Sequence, residues 1–393
     1  MDYAFSAEEE AFRLDIREFY KKELPSNWHG GREILDDEAE RFVVGVRRKL
    51  ADRGWLTMSW PKAYGGQDAP ITRQLIFAEE SSYVRFQARD QGVGFLGPAI
   101  IEHGNEEQKQ RFLVPISRAE LVFHQGFSEP DNGSDLGGLQ TKAVRDGDFY
   151  VINGRKIWGG HIDRSDYSFL LARTDPTVPK HKGISLLIIP AKTPGLTYEA
   201  FGNLGGGLQN IVYYDNCRVS IKDCLIGEEN HGWQIAMSVL NHERVVVEYS
   251  AIARRLIEDL TALWRQQERS TTVDGPTLAV RHKLAEMAIE AQVCRGLVYR
   301  IAWMEGQGNH ATYEASIFKV FGSELIQRLA RVSMEMLGLY GQISRDGYHG
   351  SRLLLDGKAE HMYRETLGNT IMGGTSEIQR GVIANRGLGL PRS

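Results

Sequence analysis

Apolar residues recur at spacings of three and four from Ala7 to about Leu113, in AEEEAFRLDIREFYKKEL, DEAERFVVGVRRKLADRG and EEQKQRFLVPI. That period is the period of the α-helix, so the first part of the chain reads as a helical domain. Pro61 with Gly65 and Gly66 in WPKAYGG, and Gly92, Gly94 and Gly97 before Pro98, are stop signals and predict loops between its helices. From about Glu120 to Gly227 the texture changes to short runs such as FYVINGRKIW, YSFLLART, GISLLIIP and NIVYYDNCRVS, separated by Gly, Pro and Asp. These predict the strands of a β-sandwich or barrel. DGD at 146–148 and NGRK at 153–156 stand at hairpin spacing, and strand following strand without helices argues against a parallel, Rossmann-type sheet.

After His231 the helical period returns, with WQIAMSVLNHERVVVEYSAIARRLIEDLTALWRQQ predicting one long helix. ERSTTVDGPT is a polar linker; AVRHKLAEMAIEAQVCRGLVYRIAWMEGQ and EASIFKVFGSELIQRLARVSMEMLG read as bundle helices, and TSEIQRGVIANR as a last one. The expected fold is mainly α with a central β-domain: an N-terminal α-helical domain over 1–119, a middle β-domain over 120–230 and a C-terminal helical bundle over 231–393.

Composition narrows the class without changing this outline. A chain of 393 residues calls for two or three domains, and 42% hydrophobic with 25% charged residues is globular composition. The net charge of −4 provides no basic excess for nucleic acid or anionic lipid. No apolar run reaches the ~18 residues that span a bilayer, and the acidic, amphipathic start MDYAFSAEEEAF is unlike a signal peptide, so a cytoplasmic protein is expected. Cys217, Cys224 and Cys294 form neither a CxxC pair nor a metal-type cluster and read as reduced thiols, with no metal site expected. Cys294, inside a helical run, reads as a buried small residue in preference to a catalytic thiol.

The segment HQGFSEPDNGSDL, His124 to Leu136, joins the helical and β-rich regions with small and polar residues. Such a composition lets backbone amides approach an anion or a polar ring closely, and it equally suits a solvent loop. Read with the rest of the chain, it resembles the acyl-CoA dehydrogenase family, whose motif has the form SEP followed by GAGSDL and whose next motif ends in KxWxT. Here the two read SEPDNGSDL and KIWGG; WPKAYGG, EHGNEEQKQRFLVPI, GDFYVINGRKIW, LIGEENHGWQIAM, NHERV and GGTSEIQR followed by LGLPR match family blocks in order over the whole length.

The resemblance implies FAD between the β-domain and a four-helix bundle. It implies that Phe127, Ser128 and Ser134 face the flavin and the acyl thioester, that Trp158 packs by the isoalloxazine, and that Gly160, Gly338, Thr375 and Glu377 also lie at the cofactor. Asn241, Arg244 and Ser134 would meet the substrate. For Trp158 the alternative is core packing; for Thr375 it is an N-cap, which coexists with cofactor contact because a helix start preceded by Gly373 and Gly374 is an anion seat.

Desaturating an acyl thioester requires a base for the α-proton and stabilisation of the carbonyl oxygen. The commonest family pattern has Glu immediately before the GT of the last motif, but this chain reads IMGGT, with Gly373 there. In another version the base stands on the helix opening the C-terminal domain, and LNHERVV matches it, with Glu243 as the base and Arg244 beside it. Leu240 and Val245, Val246 and Val247 suggest a partly buried setting that would raise its pKa. Gly373 would still supply a backbone amide to the thioester oxygen.

Three departures bear on the flavin. Gly160 replaces the Thr of KxWxT; RQQERSTTVDGPT lacks the RxxFG pattern, with Gln267 near the expected Arg; and Asp131 and Asn132 replace Gly and Ala. Together they resemble members that work in mixed assemblies with a second, related subunit supplying missing cofactor contacts; the expected state is a homo- or hetero-oligomer, a dimer or tetramer. The leading expectation is dehydrogenation of an acyl-CoA with electrons passed to an electron-transfer flavoprotein. The alternatives are a flavin oxidase or monooxygenase on the same fold, and a flavin-poor, silent partner subunit.

Overall fold

The computed structural model describes residues 4–26, 28, 30, 37–160, 162–244, 248–268, 278–309, 311–344, 350 and 353–391; within these, the side chains of 240–244, 267, 268 and 278 are outside the description. The first helices form where the apolar period predicts them. Helix α1 (Ala7–Glu23) is started by a reciprocal Ser6–Glu9 capping box, and α2 (Asp37–Asp52) and α3 (Ile71–Tyr83) pack with it around Phe12, Ile16, Tyr20, Trp55 and Phe77. Helices α4 (Gly97–His103) and α5 (Glu106–Ser117) follow, the latter opened by an Asn105–Gln108 box.

Eight strands come next: β1 (Phe123–Gly126), β2 (Lys142–Asp146), β3 (Phe149–Gly159), β4 (Tyr167–Arg173), β5 (Ile184–Pro190), β6 (Leu196–Gly202), β7 (Leu208–Ser220) and, after the short helix α6 (Ile221–Cys224), β8 (Leu225–Ile226). They make one sheet in the order β6-β7-β3-β2-β4-β5-β8, with β1 pairing β4. Only the β1–β4 and β2–β4 pairs among them are parallel, so the doubly wound alternative is absent, as the strand-after-strand order predicts. One core lies inside the sheet around Tyr150, Ile152, Leu170 and Tyr214. Another joins the sheet to α4 and α5 through Phe112, Phe169 and Ile188.

The C-terminal part comprises α7 (Gly232–Arg244), α8 (Glu248–Glu268), α9 (Leu278–Gly306), α10 (Tyr313–Leu337), α11 (Lys358–Asn369) and α12 (Ser376–Val382). Helices α8, α9 and α10 share a core that includes Leu260, Cys294, Phe318 and Leu329. Cys294 is fully buried there, and burial pushes its thiol up to about 12, which suits packing and not nucleophilic chemistry. A buried ion network fastens the N-terminal helices to this bundle: Glu79 of α3 accepts from Arg13 of α1 at 2.6 Å and from Arg295 of α9 at 2.6 Å.

Several local expectations are corrected. The glycines at 92–97 do not form a loop: Gly92–Leu96 is a π-turn running directly into α4, with Pro98 in its first turn, where the missing N–H costs nothing. Gly97 is there for contact, since a Cβ would stand 2.1 Å from the Trp60 ring. NGRK at 153–156 is not a turn either. Strand β3 runs through it with a register shift between Ile152 and Gly154, where a Cβ on Gly154 would meet Thr141 Oγ1 at 2.5 Å. DGD does turn the β2–β3 hairpin, with Gly147 at φ +60°. The single long helix after His231 is described as α7 and α8 on either side of 245–247, which lie outside the described residues together with most of the polar linker. Helix α11 had no forecast.

Candidate active site

The strand β1 continues into Phe127, Ser128 and Glu129, and this exit is held by a buried ion pair. Lys156 Nζ on β3 donates to Glu129 Oε1 at 2.9 Å and to the Phe127 carbonyl at 3.0 Å, while the Gln140 and Thr141 amides donate to the same carboxylate at 2.6 and 2.8 Å. Burial works against the charged carboxylate, but Lys156 and the amides hold Glu129 below the usual carboxylate range. One residue on, the Ile157 amide donates to the Ser128 carbonyl at 2.9 Å, so Phe127 and Ser128 lie beside the end of β3.

At that end the strand changes register between Ile157 and Gly159, and Trp158 takes a left-handed φ of +70°. This conformation is strained for a bulky residue, and such strain clusters at functional sites. Its effect is to turn the indole outward: Trp158 is 59% exposed and touches Phe201 of β6 edge-on at 5.2 Å. Core packing, the alternative weighed for Trp158, does not describe it. Behind it, Gly159 makes room for the buried His124, whose Nε2 would be 1.9 Å from a Cβ at 159. His124 Nδ1 shares a hydrogen with Ser168 Oγ at 3.1 Å, Ser168 meets Tyr214 OH at 3.1 Å, and His124 Nε2 has no partner. Space is open where a side chain at Gly160 would stand.

Helix α11 brings the bundle to this edge. Arg364 Nη1 donates to the Leu204 carbonyl at 2.6 Å, and the Glu365 Cα lies 3.2 Å from where a Cβ of Gly205 would be, so α11 seats the β6–β7 turn next to the Trp158–Phe201 pair. After α11 the chain reaches Gly373 and Gly374, at φ +67° and +84°, and then Thr375. Thr375 Oγ1 accepts from the Ile378 amide at 3.2 Å, the N-cap reading, and Gln379 Nε2 donates to the Gly373 carbonyl at 2.9 Å. Glu377 sits exposed in this first turn, its pKa lowered by a backbone hydrogen bond and by Thr375. The Ser376 hydroxyl is buried without a partner.

These observations bear on whether the chain suits a flavin. A bared indole, open space at Gly160, left-handed glycines at a helix start and an unsatisfied Ser376 hydroxyl suit a flat, polar-edged ring and its polyol tail.

Ser134 lies exposed in the turn after Glu129, beside a hollow of about 360 Å³ lined by Asn132, Gly138, Gln140, Arg173, Pro176, Val178 and Lys180. Asp131 is exposed, with its Oδ2 3.7 Å from Arg155 Nη2. Gly338 closes α10 at φ +55° and starts a short 3-10 segment on α10 and α11. Asn241, Glu243 and Arg244 occupy the last turn of α7, which packs on β5 and on the π-turn; their side chains, like that of Gln267, lie outside the described residues. The sequence reading missed His124 and the Glu129–Lys156 pair. Both ionic residues stand inside the quoted motifs, Glu129 in SEPDNGSDL and Lys156 in KIWGG. No group of three His, Cys, Asp or Glu among the described residues could hold a metal, and no described helix is long and apolar enough to cross a membrane.

Comparison with known proteins decides the family. Residues 6–120, 125–217 and 230–388 match the N-terminal, middle and C-terminal domains of acyl-CoA dehydrogenase, respectively. The chain belongs to the acyl-CoA dehydrogenase family. It is 34% identical to acyl-CoA dehydrogenase FadE26 of Mycobacterium tuberculosis, with 100% of both chains covered, and 32% identical to FadE29 of the same organism over 98% of this chain and 97% of that one. Among solved structures, the Tcur3481-Tcur3483 steroid ACAD superposes with a TM-score of 0.90 at 31% identity and 100% coverage of both chains. The ChsE4-ChsE5 complex from Mycobacterium tuberculosis does so with 0.89 at 32% and the same coverage. Family members are FAD-dependent flavoproteins, and the chain is an oxidoreductase acting on acyl-CoA.

Proposed function

We propose that this chain removes the α-proton of an acyl-CoA thioester with Glu243, and that the Gly373 amide donates to the thioester oxygen. The observation that carries this is the last motif: position 373 holds a glycine in left-handed backbone, so no carboxylate stands there, while α7 ends on the family-type NHER segment. Bound FAD would supply the acceptor for the β-hydride. Phe127, Ser128, Trp158 and Gly160 would hold the ring from the β-domain side, and Thr375 and Glu377 from the start of α12. Ser134, with the hollow beside Arg173 and Lys180, would receive the anionic coenzyme A tail, and Asn241 and Arg244 would flank the acyl group. Gly338 is retained as a proposed cofactor contact from the end of α10.

The test is Glu243→Gln. The variant should retain FAD and acyl-CoA binding while flavin bleaching by substrate slows by several powers of ten, each worth ~1.4 kcal/mol in the barrier. Near-normal bleaching would sink the assignment.

We further propose an electron-transfer flavoprotein as acceptor and a mixed assembly with a second, related chain. The second point is supported by the missing RxxFG pattern and by two similar structures, Tcur3481-Tcur3483 and ChsE4-ChsE5, each named for two proteins. The oxidase reading has one specific support, the absent Thr at 160, and the prolyl acyl carrier protein oxidase AnaB superposes with a TM-score of 0.82 at 26% identity. Oxygen consumption without an added acceptor would favour it.

A further inference from the structure

The turn that joins α11 to α12 is fixed at both ends and soft in the middle. The Ser376 amide donates to the Thr370 carbonyl at 2.9 Å and closes the base of the turn, and the Met372 amide donates to the Gly368 carbonyl at 3.0 Å. Helix α10 holds the flanking elements: Gln327 Nε2 donates to the Thr366 carbonyl of α11 at 3.1 Å, and Glu324 pairs with Arg380 of α12 at 2.7 Å. Between them stand two consecutive glycines in left-handed backbone, Gly373 and Gly374. Glycine moves between backbone regions at little cost, so two in a row leave the peptide orientation to whatever holds it from outside.

One side chain does so. Gln379, 1% exposed on α12, donates from Nε2 to the Gly373 carbonyl at 2.9 Å. Gly374 admits it, since a Cβ there would stand 2.6 Å from that nitrogen. The other end of the carboxamide, Oε1, is buried without a partner. For packing alone this is a poor choice, because methionine or leucine would fill the space with no polar atom left unmet. A local rule broken in this way marks a place where function needs the group. The group it serves is the neighbouring donor: the Gly373 N–H donates to nothing among the described residues, while the chain is held at Met372 before it and at the Gly373 carbonyl after it.

We propose that Gln379 is the positioning residue for thioester recognition: by gripping the Gly373 carbonyl it keeps the Gly373 N–H aimed at the oxygen of the acyl thioester. This rests on the reading that the Gly373 amide meets that oxygen. An N–H held in place before the substrate arrives has no reorganisation to undergo when negative charge gathers on the oxygen as the α-proton leaves. A glycine without the grip would present its N–H in only a fraction of its conformations, and binding would weaken by that fraction.

The experiment measures binding to the FAD-loaded assembly of thioesters against thioethers that carry a CH2 in place of the carbonyl: hexanoyl-CoA against S-hexyl-CoA, and cyclohexanecarbonyl-CoA against S-(cyclohexylmethyl)-CoA. Wild type should favour the thioester of at least one pair about tenfold. Gln379→Met, close in length and without a donor, should lower that preference about fivefold while thioether binding and FAD content stay as in wild type. Gln379→Leu, the second variant should methionine fail to pack, is expected to do the same. In both, kcat should fall by at least the factor by which the preference falls, because the oxygen carries more charge in the transition state than in the bound thioester. A preference kept intact in the variants overturns the proposal and leaves the Gly373 reading standing. Equal weakening of thioester and thioether also overturns it, since that is the mark of a merely structural residue. A wild type without preference in either pair sinks the Gly373 reading and this inference with it.

Discussion

Gly159 and His124 form a single device with Trp158. The imidazole fills the space a side chain at 159 would take, and the resulting bulge turns the indole to the surface. The same enclosure makes His124 sensitive to acid. Burial pushes its pKa from 6.5 down to about 4, so as pH falls the unfolded chain takes up a proton that the folded chain refuses. The contribution is present in full above 6.5 and is lost as pH drops from 6.5 toward 4. His124→Asn, which can still bond to Ser168 but does not titrate, should flatten that slope by up to ~1.4 kcal/mol per pH unit. Urea unfolding of both proteins at neutral pH and at pH ~5 checks it, and equal slopes would exclude His124 as the cause.

Among the elements, α12 opens on a side-chain cap preceded by two left-handed glycines. Its N-cap hydroxyl satisfies the Ile378 amide, while the glycines before it leave backbone free to face a ligand. Thr375→Ala should cost the helix start ~1 kcal/mol, and Thr375→Ser should restore most of it. Amide hydrogen exchange across 376–379 in the flavin-free protein reads the cap alone; unchanged protection in the alanine variant would mean that α10 packing, not the cap, holds the helix. The π-turn before α4 closes the Gly97–Trp60 contact.

For the whole molecule, the β-domain edge and the bundle are locked by α11, and the N-terminal helices are locked to α9 by the Glu79 network. Among the large apolar side chains this single chain leaves uncovered are Leu339, 82% exposed, Leu388 at 70% and Ile371 at 65%. A mixed assembly gives such residues a place to be buried. Expressed alone, the chain should retain little FAD and show weak visible flavin absorbance. Expressed with a related acyl-CoA dehydrogenase chain as partner, it should comigrate with that chain on size exclusion and turn yellow. A stoichiometrically yellow preparation of this chain alone would refute the need for a partner.

The sequence by itself determined a good deal, because periodicity and motif order are local properties of the chain. The alternation of helical and strand periods determined the α, β, α order, and SEPDNGSDL, KIWGG and GGTSEIQR determined the family and the absence of a carboxylate at position 373. The same local reading failed wherever a residue answers to something distant in the chain. A glycine required by a turn and one required by a close contact look alike in sequence, so Gly92–Gly97 read as a loop and NGRK as a hairpin, although Trp60 and Thr141 were the reasons for Gly97 and Gly154. Likewise His124 is an ordinary residue until the fold places Gly159 and Ser168 beside it. Its burial there is what lowers its pKa, and only the tertiary structure sets those surroundings.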